Sequence, residues 1–104
     1  MEEKRTFDAL IDSVLAWAND KKILEHEYHP KQIMKVIEEL GETCDAINKK
    51  NVFAIADGLG DTFVTIIILT AQLGYRPIDV LEIAYNEIKN RTGKTENGVF
   101  IKDK

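Results

Sequence analysis

Cysteine is nearly missing from this chain. Cys44 is the only one in 104 residues, which excludes an internal disulfide and leads us to expect a reducing, cytoplasmic setting. No block of basic residues is present, and the net charge is −4, which argues against a general grip on nucleic acid. An acidic chain can still bind a polyphosphate if metal ions stand between the two. Long apolar runs are also lacking. The longest, Phe63 to Leu69, carries Thr65 and falls far short of the ~20 residues of a membrane span. The opening Met1-Glu2-Glu3-Lys4-Arg5 has no apolar h-region, so the expectation is a soluble protein with no secretory signal and no membrane partner. A Ser-His-Asp arrangement, a glycine loop for phosphate, internal repeats and an interdomain linker are all wanting. His26 and His29 are not at a convincing zinc spacing with Cys44.

What remains is helical. The length predicts one domain, residues 1–104, with a modest core that oligomerisation would extend, a homodimer or larger. Phe7, Leu10, Ile11, Val14 and Ala18 place an amphipathic helix over 6–20, with Trp17 toward the edge of its stripe. Pro30 suits the first position of a second helix, about 31–48. There Ile33, Ile37, Leu40, Cys44 and Ile47 form a 4-3-4-3 seam, which reads as its core side with Cys44 a small core residue. Lys35, Glu38, Glu39 and Glu42 fall on the side away from that seam. A third helix, about 52–73, is apolar around its whole circumference and so reads as buried. Gly74 supplies a C-cap, and Pro77 opens a fourth helix to about residue 90. Asn97-Gly98 is a turn signal, and Val99 to Ile101 reads as a short docked extension. The fold class is all-α, a four-helix bundle with a short C-terminal tail.

Two acidic sets carry the chemistry. Glu38, Glu39 and Glu42 share one helix face, and on spacing alone that is an ordinary solvated face. Asp57 and Asp61 lie four apart on a helix expected to be buried, where unpaired like charges are costly. The bland alternative has Asp57 capping the helix and Asp61 paired with a lysine. Gly58 and Gly60 beside them need a reason, since glycine within a helix costs ~1 kcal/mol relative to alanine. Close backbone approach to another helix or to a ligand would supply it. If the two faces meet, four or five carboxylates converge, a set of hard oxygen donors suited to Mg2+ or Mn2+. Lys35, Lys89, Arg91 and Lys94 are candidate phosphate contacts. For Lys89 and Arg91 a helix C-terminus is an equal explanation, and for Lys35 an i, i+4 pair with Glu39 is. Trp17, Tyr28 and Tyr85 are residues that can stack on a base, although packing explains each of them as well.

Glu38-Glu39-x-x-Glu42, followed after a spacer by Leu59-Gly60-Asp61, resembles the motif of the all-α NTP pyrophosphatases, the MazG-like superfamily. The resemblance extends to Gln32 and Lys35, to Lys89-x-Arg91-x-Gly93-Lys94, and to Asn97-Gly98-Val99-Phe100. It implies hydrolysis of a nucleoside triphosphate to the monophosphate and pyrophosphate, with Mg2+ (Mn2+ as an alternative) held by Glu39, Glu42 and Asp61. Glu38 would be a ligand or the base that orients water. The family has glutamate where this chain has Gly58, and Asp57 is the candidate replacement, with a shorter side chain. The implied assembly is a homodimer or homotetramer. A helical dimer that binds nucleotide or a protein partner without turnover is the alternative.

Overall fold

The computed structural model describes residues 4–104. The opening Met1-Glu2-Glu3, read above for a signal, lies outside the described residues. Helix α1 spans Phe7–Asp20. Its N-cap is Thr6, whose Oγ1 accepts a hydrogen bond from the Ala9 N–H at 3.1 Å, and Asp8 in the first turn complements the helix dipole. A short turn of 3-10 helix, His26–Tyr28, leads into α2, His29–Asn48, with Pro30 in its first turn. Asn51 caps α3, Val52–Gln72, by accepting from the Ala54 N–H at 3.2 Å. Gly74, at φ +89°, ends that helix in the left-handed region. Helix α4 is Pro77–Ile88.

The tail is not a single docked extension. Strands β1, Gly93–Glu96, and β2, Val99–Lys102, pair antiparallel with Glu96 opposite Val99 and Gly93 opposite Lys102. Asn97 and Gly98 both have positive φ, as a two-residue type I′ hairpin requires. Both strands are exposed throughout.

Helices α2 and α3 form a tight antiparallel pair, and α1 and α4 lean on α3. The pairing overturns the expected facing of α2. Its buried residues are Val36, Glu39, Thr43 and Ala46. Ile33, Ile37, Leu40, Cys44 and Ile47, the expected core seam, are exposed. On α3 the buried line is Gly58, Thr62, Thr65, Ile67, Ile68 and Gln72. The reason is steric. Small side chains let two helix backbones approach, and a Cβ at Gly58 would overlap the Thr43 hydroxyl. The buried hydroxyls are satisfied locally: Thr43 donates to the Glu39 carbonyl, Thr62 to Gly58 and Thr65 to Thr62. None of these three hydroxyls therefore needs a partner on the facing helix.

The expectation that α3 is buried all round is corrected in the same way. Phe53 is 89% exposed, and Leu59, Phe63 and Ile66 are also open to solvent, because its three neighbours cover only part of its circumference. By length and composition alone α3 is apolar enough to cross a membrane. In this fold it is the central helix, with Asp57 and Asp61 in its N-terminal half.

The two glycines of α3 separate cleanly. Gly58→Ala should lower stability by about 1–3 kcal/mol, since Thr43 must move. Gly60→Ala, whose new methyl meets nothing within 4 Å, should raise it by up to ~1 kcal/mol. Thermal melts of the two variants check both signs.

Candidate active site

The close α2–α3 crossing brings one acidic residue from each helix to a common cavity. Glu39 of α2 and Asp61 of α3 line a recess of about 310 Å3 together with Lys35, Gln32 and Trp17. Ile23, Val64, Thr65 and Ile68 complete its walls. Trp17 comes from α1, which packs along the same flank of α3. The Gln32 Nε2 donates to the Thr65 carbonyl at 3.1 Å, fastening α2 to α3 at the cavity wall. Ile23 is held by a second fastening, since its carbonyl accepts from Gln72 Nε2 at 2.7 Å. His26 Nδ1 donates to the Gln72 carbonyl at 3.0 Å, tying the α1–α2 loop to the end of α3.

Electrostatics mark Glu39 as the centre. Its side chain is 11% exposed. Burial first, then the nearby charges of Glu42 and Asp61, push its carboxyl above the ordinary value of 4.5. Lys35 pulls in the other direction, with its Nζ 3.7 Å from Glu39 Oε1 and 3.4 Å from Glu38 Oε1. The Lys35 ammonium is held above its usual value, chiefly by the charge of Glu38 and the hydrogen bond to it. Three carboxylates, Glu38, Glu39 and Glu42, thus act on one lysine, and Asp61 adds its charge to Glu39 from α3. Glu38, Glu39, Glu42 and Asp61 all act on the same small region from two helices.

Other sequence candidates lie elsewhere. Asp57 is exposed and does not line the cavity; the capping role considered for it belongs to Asn51. Lys89 and Arg91 line a separate recess with Tyr85, Ile88 and Phe100. Arg91 pairs with Glu87 at 2.8 Å and Lys94 with Glu96 at 2.9 Å. Sequence reasoning did not anticipate Ile23, Thr65 or the Gln72 fastening. Gln32 drew attention only as part of the motif, and its spacing carries no sign of a partner on another helix.

The donor chemistry fits a hard divalent cation: oxygen ligands, excess negative charge and a raised carboxyl that a cation would relieve. Among the described residues, no three His, Cys, Asp or Glu side chains already stand in a metal-holding arrangement. Glu39 is turned to Lys35 instead.

A family profile, the MazG nucleotide pyrophosphohydrolase domain, matches residues 28–94. That span takes in both acidic sets and α4, but not Trp17. The chain is also similar to an uncharacterised 18.2 kDa protein of the rep-hol intergenic region of Haemophilus phage HP1, at 38% identity over 63 residues. The match covers 61% of this chain and 39% of the phage protein, so the chain spans well under half the length of that relative. No solved structure matches.

The Glu39 environment sets a pH dependence. A carboxyl raised in the folded state is a penalty that is absent below the unfolded value and complete above the folded one. Stability should therefore fall as pH rises from below 4.5 through the raised value. Glu39→Gln should flatten that fall, matching the wild type in acid and equalling or exceeding it at neutral pH. Urea titrations across this range measure it.

Proposed function

The chain belongs to the MazG nucleotide pyrophosphohydrolase domain family, and from that premise we propose that it is a Mg2+-dependent nucleoside triphosphate pyrophosphohydrolase, a single cytoplasmic domain acting as a homodimer or homotetramer. Turnover would release the nucleoside monophosphate and pyrophosphate. The observation that carries this reading is that the charges of Glu42 and Asp61, from two helices, both bear on Glu39 in the cavity lined by Lys35 and Trp17.

Glu39, Glu42 and Asp61 are the residues to hold the cation, with Glu38 either a further ligand or the group that accepts a proton from water. When bound, the metal neutralises the triphosphate charge and acidifies water. The remaining tasks belong to the chain. Lys35, between Glu38 and Glu39, exchanges a carboxylate for a phosphate oxygen when substrate arrives. Trp17 offers an indole face to the base, on the apolar wall formed by Val64 and Ile68. The tight α2–α3 seam keeps the two acidic helices from separating under mutual repulsion. Lys89, Arg91 and Lys94 remain candidate phosphate contacts. In their own chain they stand apart from the cavity, so in this role they would reach a site from a neighbouring copy.

A second reading has a specific observation behind it. Where the family has a glutamate, Gly58 is packed against Thr43 with no space for a side chain, and Asp57 lies outside the cavity. A set short of one ligand fits a domain that binds nucleotide without hydrolysing it.

Incubation with a panel of ribo- and deoxynucleoside triphosphates and Mg2+ separates the two. The enzyme reading requires pyrophosphate from at least one nucleotide. Pyrophosphate from none, with quenching of Trp17, the sole tryptophan, would leave the binding domain. For the enzyme, Glu42→Gln should lower kcat/KM by more than the ~10–100-fold typical of groups that only support a metal ligand.

A further inference from the structure

His26 and His29 do not line the acidic cavity. The first belongs to the 3-10 turn and the second is the first residue of α2. His26 Nδ1 meets the Gln72 carbonyl at 3.0 Å, and His29 Nδ1 meets the His26 carbonyl at 2.7 Å. A carbonyl only accepts, so both Nδ1 atoms carry a proton. In the neutral rings both Nε2 atoms therefore keep a lone pair, and neither has a hydrogen-bond partner among the described residues. Histidine ligates metals in this form, because the bond from one ring nitrogen to a backbone carbonyl fixes the tautomer and orients the ring.

The separation of the two rings fits a shared ion. Their centres stand 4.6 Å apart, with the planes tilted by 48°. Metal–nitrogen bonds of about 2.0–2.1 Å put each ring centre about 3.2 Å from an ion. Two such rings on one ion are then about 4.5 Å apart at a right angle and about 5.2 Å apart at a tetrahedral angle. The observed spacing lies near the right-angle value, that of neighbouring positions on a tetragonal or octahedral ion. Imidazole nitrogen suits nickel, copper and zinc ions, whereas Mg2+ prefers oxygen donors such as those of the acidic cavity.

We propose that His26 and His29 form a chelating site, through their two Nε2 atoms, for one borderline divalent transition-metal ion of the nickel, copper and zinc class. No third His, Cys, Asp or Glu joins them among the described residues, so water completes the coordination sphere. Cys44 takes no part, since it lies about 22 Å farther along α2. The N-terminal end of the α2 dipole opposes a cation here. Glu25 and Glu27 offset that effect, being exposed and in no ion pair among the described residues. Through the hydrogen bonds from His26 to Gln72 and from Gln72 to Ile23, the ion would brace one wall of the acidic cavity. The site uses none of the residues assigned to hydrolysis.

Thermal melts and isothermal titration of the untagged chain with Ni2+, in excess Mg2+ to occupy the carboxylates, test it. The wild type should bind one Ni2+ per chain and its melting midpoint should rise by several degrees, since an ion held only by the folded chain stabilises it. His26→Asn and His29→Asn place an amide donor where Nδ1 was and remove Nε2, so each should abolish the rise. Glu39→Gln should keep it. The proposal is overturned if Ni2+ neither binds nor raises the midpoint, or if the rise survives His29→Asn. It is equally overturned if Glu39→Gln abolishes the rise, which puts the ion in the acidic cavity, or if one ion binds per two chains, which makes it a bridge between copies. If the histidine variants fail to fold, Cu2+ on the wild type decides: its electron spin-echo spectrum should show the remote nitrogens of two imidazoles, and a spectrum without them refutes the site.

Discussion

Contact between the α2 and α3 backbones at Thr43 and Gly58 is the constraint on which the rest depends. A side chain at position 58 would occupy the space of the Thr43 hydroxyl, so the helices cross closely only because glycine is there. Dispersion contacts fall off quickly with separation, and a small-residue crossing gathers many of them over a short length. The threonines on either side return their hydroxyls to their own helices, so none of them needs a partner on the facing helix. Glu39 and Asp61, carried by opposite sides of that crossing, are thereby brought to one cavity.

Charge gathered in this way works against folding. Glu39 is largely buried beside Glu42 and Asp61, with one lysine to offset several carboxylates. Structural cores avoid this arrangement and binding sites tolerate it, because a cationic or polyanion–metal ligand removes the repulsion. The fastenings around the cavity, Gln32 to Thr65, Gln72 to Ile23 and His26 to Gln72, hold its walls against that repulsion. They also tie the α1–α2 loop, and with it α1 and Trp17, to the acidic helices. Position 58, between the two acidic residues of α3, is taken by the seam itself.

The elements were legible in the sequence because capping and turn chemistry are local. Gly74, Pro30, Pro77 and Asn97-Gly98 mark ends and turns wherever they occur, and the four helices begin and end within a few residues of the predicted bounds. The direction of each helix face was not legible. A 4-3-4-3 row of Ile33, Ile37, Leu40, Cys44 and Ile47 records that one side of α2 avoids water, but not what covers it. Within the chain, α3 takes the row of Val36, Glu39, Thr43 and Ala46, where small residues permit approach. The larger aliphatic residues are left facing outward. The same reasoning placed Cys44 inside and Glu39 outside, and the structure reverses both.

Composition, spacing and motif order by themselves determined an all-α chain, its family and the identity of its acidic residues, since each of these follows from residue types at fixed intervals along one helix. Only the tertiary structure decided that Glu39 is the buried member and that Trp17 and Gln32 share its cavity. It also decided that Asp57, Lys89, Arg91 and Lys94 stand apart from that cavity. Those facts depend on how one helix is rotated against another, and that rotation is set by a steric fit between residues far apart in the chain, Thr43 and Gly58, which no single-helix pattern contains.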